Sequence, residues 1–298
     1  MNKKILVIGG TGFIGFNLLK KLLLLKYDLS SVSTKLPLKE KKLKGVNYIC
    51  LDISKKKNFI RLNKFKFDVV INLGGYIDHS KEKKTFKSHF EGTKNLVDYF
   101  RYKDLKLFIQ IGSSLEYGGV ASPQKEYSKC KPKGNYGLAK YKASKYLITS
   151  EGLTFSFLIL RLYQIYGPHQ DTSRLIPHTI TSCINKKNFN CTNGKQLRDF
   201  LFVDDLVNLF IKILISKKLT SDIYNVGSGK PVSVKYVIKK IHQKIKNGHP
   251  LFGKIKMRKD EINKLYPDIN KVKSKFKWKP KTSIEKGLAK TIRYYENK

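Results

Sequence analysis

At 298 residues the chain is long enough to bury a large core, in one big domain or two coupled ones. Its formal net charge is +39, but 54 of the 61 basic residues are Lys, spread along the whole chain beside many Asn, Ile, Phe and Tyr. Nucleic-acid readers rely on Arg for bidentate contacts to phosphate and guanine, so the excess reads as an AT-rich coding bias. It argues against a specific nucleic-acid partner and predicts only adsorption at low salt. Cys50, Cys130, Cys183 and Cys191 stand far apart without Cys-x-x-Cys spacing, which argues against zinc or a disulfide framework and for a reducing cytoplasm. No stretch reaches the roughly 18 apolar residues of a membrane span.

The first predicted element is a buried strand over Lys4–Ile8, an apolar run rich in branched residues. Its apolar part is too short for a signal peptide and leads straight into Gly9-Gly10-Thr11-Gly12-Phe13-Ile14-Gly15. A helical face follows over 13–26, with apolar residues at 13, 14, 18, 19, 22, 23 and 25. Strand, glycine-rich turn and helix form the context of a dinucleotide fingerprint, here with Gly-x-x-Gly-x-x-Gly spacing. Gly9, Thr11, Gly12, Phe13 and Ile14 would cradle a pyrophosphate on the helix N-terminus. A weaker strand at 29–34 ends on Ser33, Thr34 and Lys35. An NAD enzyme carries an acid there for the ribose 2′-hydroxyl, whereas a cation accommodates a 2′-phosphate. NADP(H) is therefore favoured, with Lys35 meeting the phosphate, and NAD(H) is the alternative.

Further strands are predicted at 46–50, 68–73, 107–111 and 155–160, alternating with helices near 82–102 and 136–151. Such alternation gives a doubly wound parallel sheet, an α/β Rossmann domain. Ligands bind at the carboxyl ends of its strands, which are Asp52-Ile53, Leu73-Gly74-Gly75, Ser113-Ser114 and Tyr163-Gln164-Ile165. On the helix near 136–151, Tyr136 and Lys140 are four apart and share a face. An ammonium beside a phenol favours the phenolate, so this Tyr is a proton donor and acceptor for a carbonyl/alcohol pair.

Beyond about 166, short strands and helices (Leu206–Ser216, Val234–Ile245, Ile284–Tyr295) suggest a smaller α/β substrate-binding lobe. The expected division is a Rossmann domain over 1–165, with 199–225 returning to it, and a lobe over 166–198 and 226–298. Lys254–Lys281 is Lys-rich yet carries Arg258, Asp268 and Trp278-Lys279-Pro280, so it is read as ordered. Where Lys is the default cation, a retained Arg suggests a need for its planar fork. Arg161, Arg174, Arg198 and Arg258 together point to an anionic, diphosphate-type ligand.

These motifs, in this order, resemble the extended short-chain dehydrogenase/reductases of the nucleotide-sugar epimerase/dehydratase/reductase group, nearly end to end. The resemblance implies a Ser113–Tyr136–Lys140 catalytic set, Ser113 falling in Gly112-Ser113-Ser114-Leu115-Glu116-Tyr117-Gly118. It implies cofactor contacts from Asp52, Ile53, Leu73, Gly74, Gly75, Tyr163 and Ile165, besides Tyr136 and Lys140. Arg198, in Arg198-Asp199-Phe200, and Arg258 would clamp a sugar diphosphate, with Arg174 and Ser114 near the sugar. It also implies a homodimer. Sugar dehydratases place an Asp-Glu pair where Ser114 and Leu115 stand, and double epimerases place a Cys at the Leu115 position, so both reactions are disfavoured. His89 replaces an Asn three residues before Gly92-Thr93 and is read as a neutral hydrogen-bonding His. The expected activity is NADPH-dependent reduction of a nucleotide-linked 4-keto-6-deoxyhexose, with NAD-dependent 4-epimerisation as the alternative. A non-catalytic RNA-binding relative is the distant third, since such members tend to lose the Tyr and Lys.

Overall fold

A computed structural model describes residues 3–78, 80–258 and 261–298. In chain order the elements are β1 (Lys4–Ile8), α1 (Phe13–Leu24), β2 (Asp28–Ser33), β3 (Val46–Cys50), β4 (Val69–Asn72), α2 (Glu82–Phe86), α3 (Gly92–Phe100), β5 (Leu107–Ser113), α4 (Gly134–Thr149) and β6 (Ser156–Leu162). They continue with β7 (Gln164–Tyr166), α5 (Leu175–Ile184), β8 (Asn188–Cys191), β9 (Leu197–Arg198), β10 (Phe200–Phe202), α6 (Val203–Ile215), β11 (Asp222–Val226) and β12 (Val232–Ser233). The last are α7 (Val234–Ile245), β13 (His249–Phe252), β14 (Lys264–Leu265), α8 (Asn270–Phe276) and α9 (Ile284–Glu296).

Seven strands make the central sheet in the order β11-β6-β5-β4-β1-β2-β3, with parallel pairing from β6 across to β3. The order reverses between β1 and β4, the switch point at which ligands of such sheets bind. Gly9 follows β1 and Leu73-Gly74-Gly75 follows β4, side by side at that point. Ile5, Leu6, Val7, Val70 and Ile71 are wholly buried, as strands covered on both faces require.

The chain divides into two compact units. The first comprises Met1–Val120, Glu126–Leu162 and Ile211–Tyr224; the second comprises Ala121–Lys125, Tyr163–Phe210 and Asn225–Lys298. The returning segment is thus Ile211–Tyr224, against the 199–225 expected from the sequence. Residues 199–210 sit in the second unit, where β10 pairs with β7 and β9 with β12 and β14. The first unit's core includes Leu6, Val32, Leu62, Leu96, Phe108 and Ile159. The second unit's core joins Ile180, Phe202, Val237, Ile241 and Leu288.

Two helices, α5 and α8, were not anticipated; α5 carries Pro177 in its first turn and α8 is only seven residues long. The single helix predicted over 82–102 is instead α2, a π-helical turn over Lys87–Glu91, and α3. Thr93 Oγ1 donates to the His89 carbonyl at 2.7 Å within this stretch, and π-turns of this kind concentrate at functional sites. In the Lys-rich segment 254–281, residues 259 and 260 lie outside the described residues, and α8 occupies Asn270–Phe276. Among the described residues no helix is long and apolar enough to cross a membrane.

Candidate active site

In the first unit, the turn after β1 depends on missing side chains. A Cβ on Gly15 would stand 2.4 Å from the Gly9 carbonyl oxygen and 2.6 Å from Gly10 Cα. Gly9 has φ of +77°, and its Cβ would meet the Leu73 carbonyl oxygen at 3.0 Å. This packing lets α1 start at Phe13 directly above the turn. The Gly12 N-cap supplies no side-chain bond and the first turn holds no acid, so the helix N-terminal amides of Phe13 and Ile14 keep their positive end open.

Thr11 Oγ1 donates to Ser33 Oγ at 2.9 Å, tying the turn to the end of β2. No carboxylate stands at Ser33–Lys35, and Lys35 is exposed. At the end of β3, Asp52 Oδ1 accepts bonds from Ser54 N and Ser54 Oγ, so this carboxylate organises its own turn. Ile53 is buried in the core and accepts Asn95 Nδ2 on its carbonyl. The end of β4 is held by a buried polar network. Asn72 Nδ2 donates to Gln110 Oε1 and Thr93 Oγ1, while Asn72 Oδ1 accepts Gly74 N. Gly75 leaves room for the His89 imidazole, whose Cε1 would lie 1.8 Å from a Cβ there. His89 Nε2 is 3.3 Å from the Tyr76 carbonyl oxygen, and its ring stands edge-on to Tyr136 with centroids 5.0 Å apart.

Lys140 and Tyr136 lie on α4, and Ser113 closes β5. Ser113 and Lys140 are buried. Lys140 Nζ donates to the Ile111 carbonyl at 2.8 Å and lies 5.9 Å from the Tyr136 ring centroid. The four-residue spacing thus places ammonium and phenol side by side, as the sequence predicts. Burial pushes the Lys140 pKa down to about 8, with Glu116 pulling the other way. Gly137 permits the approach of α4, since a Cβ there would stand 2.7 Å from the Leu115 carbonyl oxygen. Ser113 Oγ accepts Leu115 N at 3.2 Å, which leaves its own proton to donate outward. Ser114 and Leu115 complete the short turn that follows.

Glu116 is not among the site residues expected from the sequence. Fully buried, it accepts Ser113 N on Oε1 at 2.8 Å and Arg161 Nε on Oε2 at 2.9 Å. The Ser113-x-x-Glu116 spacing of a capping box was its signal. Arg161 must accordingly be withdrawn from the set of arginines read as anion ligands: it is 3% exposed, paired with Glu116 and stacked over Tyr117 at 4.5 Å.

The second unit holds the remaining predicted residues. Tyr163 is buried and its hydroxyl donates to Gln124 Oε1 at 2.7 Å. Ile165 lies in β7, registered with Leu201. Arg174 is the exposed N-cap of α5. Arg198 is buried and ion-paired with Glu261, while Arg258 is exposed and its carbonyl accepts Glu261 N at 3.1 Å. Asp199 is structural: it accepts the amides of Ser228 and Gly229, holding the turn after β11. Among the described residues no group of three or more His, Cys, Asp or Glu could hold a metal.

A parallel sheet with a glycine turn at its switch point defines a doubly wound dinucleotide-binding fold. Residues 5–227 match the NAD dependent epimerase/dehydratase family, and the chain belongs to it. It is 25% identical over 307 residues to CDP-abequose synthase of Salmonella muenchen, covering 98% of each chain. It is 27% identical to human dTDP-D-glucose 4,6-dehydratase, covering 98% of this chain and 90% of that one. The Thermotoga maritima UDP-glucose 4-epimerase, solved with UDP-glucose, has the same fold, with a TM-score of 0.91 at 24% identity over 100% of this chain and 99% of that one.

Proposed function

We propose that the protein reduces a nucleotide-linked 4-keto-6-deoxyhexose with NADPH. The observation that supports this reading is Lys140 Nζ beside the Tyr136 ring on α4, with the non-ionisable Leu115 in the turn that Ser113 caps. A dehydratase needs an acid and a base beside the sugar, and the Ser114-Leu115 positions offer neither. Full-length similarity to CDP-abequose synthase supports the same direction. The close-packed glycines and the uncapped N-terminus of α1 fit a dinucleotide pyrophosphate. The family description names NAD; the case for NADPH rests on the missing acid at Ser33–Lys35.

The turn of Gly9–Gly15 would hold the dinucleotide, whose nicotinamide would supply the hydride for the sugar C4. Ser113 donates its hydroxyl hydrogen bond to the ketone oxygen and stabilises the charge that develops there. Tyr136 gives its phenolic proton to that oxygen as it becomes an alcohol, and recovers a proton from solvent. Lys140, held by the Ile111 carbonyl, steadies the resulting phenolate. Arg198 and Arg258 are assigned to the diphosphate, Arg174 and Ser114 to the sugar, and Tyr163 and Ile165 to the nicotinamide. A homodimer is the proposed state.

The test is nicotinamide absorbance with NADPH, then NADH, against a panel of nucleotide 4-keto-6-deoxyhexoses. Stoichiometric oxidation, faster with NADPH, is the expected result. Conversion of a nucleotide hexose to its 4-epimer without added cofactor would make the protein an epimerase, using the same three residues. A second measurement probes the cofactor turn. In Gly15→Ala the new Cβ meets main-chain atoms that cannot swing aside, so NADPH binding read by nicotinamide fluorescence should weaken at least about 100-fold, roughly 3 kcal/mol.

A further inference from the structure

We infer that Glu116 is a positioning residue of the active site, its two carboxylate oxygens tying the main chain of Ser113 to the buried Arg161 and setting the charge beside Lys140. The inference rests on the catalytic roles proposed for Ser113 and Lys140. Glu116 is 0% exposed and Arg161 3% exposed. A fully buried ion pair is weak evidence for stability, because desolvation offsets its attraction and an apolar pair of similar volume often serves as well. Its placement therefore calls for another reason.

The geometry supplies one. One oxygen fixes the Ser113 amide at 2.8 Å, on the residue whose hydroxyl caps Leu115 N and must aim its proton outward. The other is anchored by Arg161 Nε at 2.9 Å, and the guanidinium is itself pinned over Tyr117. The end of β5 is shaped around this carboxylate, since a Cβ on Gly112 would stand 2.5 Å from Glu116 Oε1. Side chains facing the pair are Lys140 from α4, Cys130 from the segment before α4, and Tyr117 from the turn itself. Lys140 in turn faces Tyr136, which His89 flanks from the π-turn. Glu116 is the negative group that raises the Lys140 pKa against burial, so it keeps the ammonium charged to higher pH.

Two variants test this. Glu116→Gln removes the charge and leaves Arg161 buried alone, so it is expected to lower the melting temperature. Glu116→Met/Arg161→Met removes both charges and keeps the volume, so it supplies a folded protein in which Ser113 N has lost its acceptor. Titration of Lys140 by side-chain NMR of carbon-13-labelled lysine, its signal assigned by loss in Lys140→Met, needs no substrate. Its midpoint should fall in either variant, most in Glu116→Gln, where Arg161 keeps its charge. Turnover per folded enzyme should fall about 10- to 100-fold with cofactor KM within about twofold, as expected for a misaimed group. A folded Met/Met protein with the wild-type Lys140 midpoint and wild-type turnover would reduce the pair to a structural element and overturn the inference. If no sugar is turned over by any form, the reaction proposed above fails, while the Lys140 midpoint still decides the role of Glu116.

Discussion

Tyr136→Phe should bind NADPH as the wild type does and lose about 10³-fold in turnover. The ring that packs edge-on against His89 and beside Lys140 Nζ is retained in Phe, so the packing at the start of α4 is undisturbed. What is lost is the hydroxyl, the proposed proton donor to the developing alkoxide. General acid catalysis of this kind is worth about 10² to 10⁴ in rate. Ser113 and the bound cofactor would remain, so residual turnover should exceed the uncatalysed rate. Single-turnover oxidation of bound NADPH, with a fluorescence titration of cofactor affinity alongside, separates chemistry from binding. Turnover within a fewfold of wild type would remove Tyr136 from the proton-transfer step and overturn the proposed mechanism.

The parts of this site that were legible in the sequence are those set by local rules. A branched apolar run, three spaced glycines and a helical stripe can be read from residues 4–26 alone, because strand, turn and helix are each decided by neighbours. Tyr136 and Lys140 were legible for the same reason: a spacing of four fixes a shared face on any helix. Glu116 and Arg161 lie 45 positions apart in sequence and meet only because β5 and β6 pair with Gly112 opposite Arg161. Nothing local distinguishes that arginine from Arg174 or Arg258, and all were assigned to anion binding. The polar network of Asn72, Thr93 and Gln110 was hidden for the same reason, since its members come from two strands and a helix. The π-turn at 87–91 escaped because an inserted residue shifts the helical phase without changing composition.

Lys140 should impose opposite pH trends on activity and on stability. Its pKa is pushed down to about 8 in the folded protein, chiefly by burial, from an ordinary value of 10.5. Below pH 8 the side chain is protonated folded and unfolded alike, and the folded state bears the whole cost of the buried ammonium. Between about 8 and 10.5 the unfolded chain binds more protons than the folded one, so this group's contribution to stability rises with pH through that window. The full change is about 3 kcal/mol, taking 1.36 kcal/mol per pKa unit. Turnover is expected to run the other way, because in the proposed mechanism the ammonium stabilises the Tyr136 phenolate, and a basic limb should appear near pH 8. In Lys140→Met, turnover should fall at least about 10³-fold, and the melting temperature between pH 8 and 10 should lose the upward component that wild type shows relative to it. The difference between the two proteins isolates this residue from the other lysines, whose charges are common to both. A basic limb in wild type well above pH 9, or a melting difference flat across that window, would mean that the Ile111 carbonyl and Glu116 offset burial and that Lys140 stays charged throughout.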